Sequence, residues 1–200
     1  RLLGACHEDL ISWMCRSEAS THQLILMPRD HMKSTLLAYR VAWELTKHPE
    51  LRVLYVSSTA NLAIKQLKFI KDILTSPKYR YYWPEMVNER EGDREKWTET
   101  EIALDHPKRK LENVRDPSIF TAGLTTNIVR TRISYFSSIA GTDGKNWVVG
   151  TRYHPDDLYQ TLQEMVYDTF DEEGNVISSI NLYELYERKV EDNGDGSGNF

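Results

Sequence analysis

Cysteine is nearly absent from the 200-residue chain, which has two, Cys6 and Cys15. If both lie on one helix, a rise of ~1.5 Å per residue holds them too far apart to join. No C-x-x-C or zinc-type spacing occurs, and a reducing compartment is the expected setting. No apolar run approaches the ~20 residues that a membrane span needs, and neither a signal peptide nor an internal repeat is read. Positive charge is not in excess: the net charge is −5 and the pI about 5.7, so the chain as a whole is no electrostatic trap for nucleic acid. Local basic stretches remain, at Lys65, Lys68, Lys71 and Lys78 and again at Lys108, Arg109 and Lys110. The ordinary reading of each is a solvated helix face or loop. Arg1 rather than Met opens the chain, as expected of a piece of a longer protein. What is present, 40% hydrophobic and 28% charged residues, suits one globular domain with a real core.

Residues 24–37 carry the most information. An apolar run (Leu24, Ile25, Leu26, Met27) is followed by Pro28, Arg29, Asp30, His31 and Met32, and then by Lys33, Ser34 and Thr35 leading an apolar helix pattern. A buried strand, a tight loop and a helix opening on Lys-Ser-Thr form the architecture of a phosphate-binding loop. The textual match to G-x-x-x-x-G-K-[ST] fails at both glycines, where Met27 and Met32 stand. Its chemical half is intact. Lys33 is placed to reach terminal phosphates, Ser34 to bind Mg²⁺, and the backbone N–H groups of residues 30–35 to face phosphate oxygens. Lys-Ser-Thr is also an ordinary way to cap a helix; the strand before it and the strand–helix unit after it favour the nucleotide reading.

Periodicity places helices over residues 5–16, 34–47 and 60–75, the last with a stripe through Leu62, Ile64, Leu67, Ile70, Ile73 and Leu74 that Ser76-Pro77 ends. Consecutive apolar residues over 23–27, 51–58 and 146–151 predict strands covered on both faces. Strand–loop–helix–strand–helix within about 55 residues predicts a parallel sheet with a right-handed crossover. Residues 79–84 are aromatic and basic, and read as aromatic packing beneath a loop or a platform for stacked bases. Residues 97–104 alternate as a half-buried strand with which 118–123 is expected to pair. Asp156 and Asp157 suit the start of a helix reaching about Tyr167. Glu173, Gly174 and Asn175 form a hairpin turn between 165–170 and 176–185. The Asp/Gly/Asn-rich residues 191–199 read as a linker. His7 reads as a capping or surface histidine rather than a base contact.

Three pieces together resemble the large terminase subunit of tailed bacteriophages, specifically its N-terminal packaging ATPase domain. Residues 27–35 resemble that family's deviant Walker A loop, with Pro28-Arg29 before the turn and Lys33-Ser34-Thr35 after it. Residues 53–59 and the 60–75 helix resemble its next strand–helix unit. Residues 148–159, from Val148 through Gly150-Thr151-Arg152 to Tyr159, resemble the strand and coupling segment that follow Walker B. The likeness spans roughly residues 5–160.

The resemblance implies an α/β P-loop NTPase of the additional-strand, RecA-like class, with a mainly parallel central sheet flanked by helices. It implies one ATPase domain over 1–190 and a tail over 191–200 leading towards a nuclease domain outside this chain. The implied cofactors are ATP and Mg²⁺. Lys33 would meet the β/γ-phosphates within a cradle of Pro28, Arg29, Asp30, His31, Met32, Ser34 and Thr35. Ser34 would hold the metal, and Arg29 would sense the γ-phosphate. Gly150, Thr151 and Arg152 would couple hydrolysis to movement of double-stranded DNA. The implied partners are double-stranded DNA, the portal protein, the procapsid and the small terminase subunit. The implied form is a homo-oligomeric ring when active and a monomer in isolation, in the host cell cytoplasm at the procapsid portal. Arg130 and Arg132 are candidates for an arginine acting in trans, against a plain reading as surface charge.

One departure stands out. The family's apolar strand ending in paired acids does not occur between Gly123 and Trp147, where chain order requires it, and residues missing near 125–132 are the expected reason. The acidic residues 168–173 lie after the coupling segment and are rejected for that role. A helicase-like or other P-loop ATPase, or a non-catalytic nucleotide-binding assembly module, are the alternative readings.

Overall fold

The computed structural model describes residues 4–123, 144–151, 158–188, 191–192 and 198–199. In chain order the elements are α1 (Ala5–Cys15), β1 (His22–Leu26), α2 (Lys33–Lys47), β2 (Val53–Ser57), α3 (Ala60–Thr75), α4 (Pro77–Tyr82), a 3-10 turn (Glu91–Asp93), β3 (Lys96–Trp97), β4 (Glu101–Ala103), α5 (Pro107–Leu111), β5 (Ile119–Gly123), β6 (Asn146–Gly150), α6 (Leu158–Gln163), β7 (Val166–Phe170), β8 (Val176–Asn181), β9 (Glu184–Glu187), β10 (Glu191–Asp192) and β11 (Gly198–Asn199). The protein is mixed α/β with parallel strands, divided into two compact units: residues 1–33 with 130–200, and residues 34–129.

The first unit is built on a three-stranded parallel sheet in the order β6–β1–β9. Its centre is β1, whose residues Leu24, Ile25 and Leu26, with the following Met27, are at most 2% exposed. A strand flanked on both edges and covered on both faces needs an unbroken apolar run, which is what the sequence provides. Leu24 and Leu26 pack with Leu162 of α6 and with Tyr183, joined by Val148, Tyr159, Met165 and Leu182. Helix α1 buries Leu10 and Met14. His7 caps it, its Nδ1 accepting from the Gly4 N–H at 3.0 Å. The hairpin predicted around Gly174 forms as β7–β8, with Gly174 at φ 87° and the Asp171 carboxylate accepting from the N–H groups of Glu173 and Asn175. The second strand of that hairpin stops at Asn181, and residues 184–187 turn away to become β9, a parallel neighbour of β1. Within the tail read as a linker, β10 pairs antiparallel with β11.

The second unit holds a four-stranded sheet in the order β2–β5–β4–β3. β2 and β5 are parallel, and β4 and β3 continue the sheet antiparallel. Consecutive strands β1 and β2 therefore belong to different sheets, and each takes its parallel partners from later in the chain. α3 starts where Thr59 Oγ1 accepts from the Leu62 N–H at 3.3 Å, and ends at Ser76, whose hydroxyl in turn accepts from the Tyr79 N–H to start α4 with Pro77 in its first turn. The buried stripe of α3 runs through Ala63, Leu67, Ile70 and Leu74, so Leu62, expected inside, faces out at 44% exposure. Gly123 ends β5 against the start of that helix: a Cβ there would lie 2.4 Å from the Ala60 nitrogen. The residues expected as one strand over 97–104 form two, because the Thr98 N–H and hydroxyl both reach the Glu101 carbonyl and close a turn. The expected pairing with β5 is made by β4. Arg109, read as solvated charge, is buried, its guanidinium donating to the carbonyls of Pro49, Leu51 and Asp116.

Candidate functional site

In a parallel sheet, ligands are met at the carboxyl ends of the strands, where neighbouring strands continue in opposite directions around a central one. β1 is the central strand of its sheet, with β6 on one side and β9 on the other, and residues 27–33 leave its carboxyl end. Two residues of this loop, Asp30 (φ 64°) and Met32 (φ 53°), are left-handed. Met32 stands where the second glycine of a phosphate loop would be, and adopts a conformation that glycine takes without strain. A short polar side chain tolerates that region better than methionine does, so the cost falls mainly on Met32.

Lys33, the first residue of α2, turns its side chain back across the loop, and its ammonium donates to the Pro28 carbonyl at 2.9 Å. Partial burial pushes its pKa below the usual 10.5. The Arg29 charge pushes the same way and Asp30 opposes both. Asp30 forms no salt bridge with Lys33 among the described residues, so the ammonium rests on a neutral acceptor. Arg29 and Asp30 are exposed, and His31 Nδ1 lies 2.5 Å from the Arg29 carbonyl, the placement of an Nδ1–H donor. Ser34 and Thr35 occupy the first turn of α2, Ser34 exposed and Thr35 half-buried.

The loop's base is tied to the end of β6. The Met27 N–H donates to the Gly150 carbonyl at 3.1 Å, and Thr151 Oγ1 donates to the Met27 carbonyl at 3.0 Å. Gly150 and Thr151 are thus brought against the loop from more than a hundred residues away, whereas Arg152 lies outside the described residues. Gly150 is buried under the Tyr159 ring of α6, and a Cβ there would sit 2.1 Å from Tyr159 Cζ. On the opposite side the Arg188 N–H, just past β9, donates to the Leu26 carbonyl at 3.0 Å.

No protein-family model matches this chain, and no curated protein matches it at significant similarity.

Residues that the sequence reading missed complete the β9 side. Asp9 of α1 accepts from Tyr186 OH at 2.8 Å and pairs with the Arg188 guanidinium at 2.5 Å. Arg188, and then Tyr186, hold the Asp9 carboxyl below its ordinary range, while burial pushes the Tyr186 phenol up. Arg16 and Ser20 likewise engage Glu184. These contacts join α1 to a strand some 170 residues on, and no local pattern announces them.

Among the described residues no group of three metal-ligating side chains comes together. Arg130, Arg132 and the segment 125–132 in which the paired acids were sought lie outside the described residues. A cleft of about 490 Å³ in the second unit, lined by Glu50, Arg52, Glu112 and Asp116 among others, contains none of the predicted site residues.

Proposed function

We propose that the chain is the ATP-hydrolysing motor domain of a viral DNA-packaging terminase, with a P-loop fold of the additional-strand class. The observation that carries the nucleotide half of this reading is Lys33. It is a partly desolvated ammonium, held on a carbonyl and not on a carboxylate, at the end of a loop with a left-handed Met32 at the glycine-like position. A triphosphate gives that cation oxygens in place of one neutral acceptor, and charge-assisted contacts of this kind are the strong ones. Phosphoryl transfer then asks of the protein mainly positioning and charge neutralisation. Arg29, exposed on the loop, adds a second cation. Ser34 offers an exposed hydroxyl to Mg²⁺, which when bound supplies charge neutralisation at the β- and γ-phosphates. The motor half, in which Gly150 and Thr151 pass the state of the loop to double-stranded DNA, rests on the resemblance and is supported by their two hydrogen bonds to Met27. On this reading the portal protein, procapsid and small terminase subunit are partners, the dilute domain is a monomer, the active form is a ring, and the site of action is the host cytoplasm.

The test is ATP binding by calorimetry and phosphate release, for wild type and Lys33→Ala. Loss of one charge-assisted contact of about 1.5–3 kcal/mol lowers affinity roughly 10- to 100-fold. The wild-type affinity should fall as pH rises through the depressed pKa of the free Lys33, because only the ammonium attracts the phosphates, whereas the alanine variant loses that step. Equal ATP binding by the two proteins removes the nucleotide reading. ATP bound through Lys33 without turnover in the full-length protein selects a non-catalytic binding module. Turnover that a procapsid and portal fail to stimulate selects another P-loop ATPase.

A further inference from the structure

Residues 153–187 carry nine Asp or Glu and no Lys or Arg, so the remainder of the chain, despite the overall charge of −5, is net basic. The β7–β8 hairpin lies within this acidic stretch, and almost none of it is covered. Val166, Tyr167, Phe170, Val176, Ile177 and Ile180 are 50–68% exposed, spread over both faces, and Glu172 and Glu173 are exposed at its turn. Six large apolar side chains on one hairpin exceed the scattered exposure normal for a soluble surface and mark a contact site. The second unit carries a surface of opposite charge and similar apolar character. Residues 60–84 hold five Lys or Arg against one Asp. Lys65 and Lys68 are exposed on α3, where Leu62 also faces out (44%), and Lys78 is exposed on α4, which also carries Tyr81 (81%) and Tyr82 (60%).

We propose that the β7–β8 hairpin of one molecule docks on the α3–α4 face of a second copy of this chain. Charge decides the occupant. A nucleic acid would suit Lys65, Lys68 and the exposed tyrosines, but is repelled by the hairpin and leaves its apolar residues in water. A second copy answers both surfaces at once: Glu172 and Glu173 meet the lysines while Phe170, Val176 and Ile177, which share one face of the hairpin beside its turn, meet Leu62, Tyr81 and Tyr82. Different surfaces meet, so the contact is heterologous and repeats head to tail into a ring or a filament. A single hairpin lies at or below the low end of specific interface areas, so association is weak, with a dissociation constant on the order of 10–100 µM. Partial screening of its charges makes it weaker still in high salt.

Sedimentation velocity over a concentration series, without nucleotide, tests the contact. The wild-type weight-average mass should rise with concentration and fall with added salt. Glu172→Lys/Glu173→Lys and Lys65→Glu/Lys68→Glu should each stay monomeric. An equimolar mixture of the two should associate again, because the reversed hairpin meets the reversed helix face. Ile177→Ser, at an exposed position, should weaken association without changing the circular dichroism spectrum or melting temperature. A wild type that stays monomeric throughout the series, or association that neither reversal changes, overturns the proposal, as does a mixture that stays monomeric. Lys33→Ala should associate like wild type, which keeps this outcome separate from whether the loop binds nucleotide.

Discussion

The carboxyl end of β1 and the β7–β8 hairpin belong to one compact unit, yet they differ in how many partners each has. Around Leu26 and Met27, backbone and side-chain groups from both neighbouring strands converge on two residues, and the side chains are buried. In the hairpin, ladder hydrogen bonds and a turn built on Asp171 do nearly all the work, and the side chains face water. The first arrangement holds the start of the loop in one place. The second holds its backbone shape but leaves its apolar side chains uncovered, as suits a surface that meets something larger. Substitutions should therefore be costly at one place and nearly silent at the other.

The largest expected effect is at Gly150. Gly150→Val forces a branched side chain into the Tyr159 ring and should cost about 2–3 kcal/mol in urea denaturation, in the range for overpacked sites. A loss no greater than that of a surface substitution would mean that Tyr159 moves aside freely and that the end of β6 is not rigid. Next comes Thr151→Val, which keeps the side-chain shape but removes the hydroxyl on the Met27 carbonyl. About 1 kcal/mol of stability should go with it; no change would show that the tie contributes nothing. Smaller, and of opposite sign, is Met32→Gly. It relieves a left-handed methionine at the expense of a more flexible unfolded chain, with a net gain of about 0.5–1 kcal/mol in the same measurement. In the hairpin, Ile177→Ser should stay within about 0.5 kcal/mol of wild type. A larger loss there would mean that the hairpin is packed and would erase the contrast.

How much of this was legible depends on how far apart the interacting residues lie. The buried centre of β1 could be read from an apolar run unbroken by polar residues, and the start of α2 from Lys33-Ser34-Thr35. The caps at Thr59 and Ser76 follow local chemistry, and so does the turn at Gly174. The left-handed backbone at Asp30 and Met32 was not legible, because methionine advertises no such conformation and the loop lacks the expected glycines. Leu62 belongs to the apolar stripe that periodicity draws, but the helix turns the smaller Ala63 inward in its place. The break between β3 and β4 came from Thr98 bonding to Glu101, which competes locally with an extended strand. The tie of Gly150 and Thr151 to Met27 has no local signal; the resemblance singles out these two residues but not their hydrogen bonds to the loop. The Asp9–Tyr186–Arg188 cluster had no signal at all, since it joins residues from opposite ends of the chain.

Met27 spends both its N–H and its C=O on the end of β6. Its peptide planes, and with them the direction in which the chain departs towards Pro28, are inherited from that neighbouring strand. A tilt of β6 by a few degrees would re-aim the first peptides of the loop, and Lys33, bonded to the Pro28 carbonyl, would carry that change on to the start of α2.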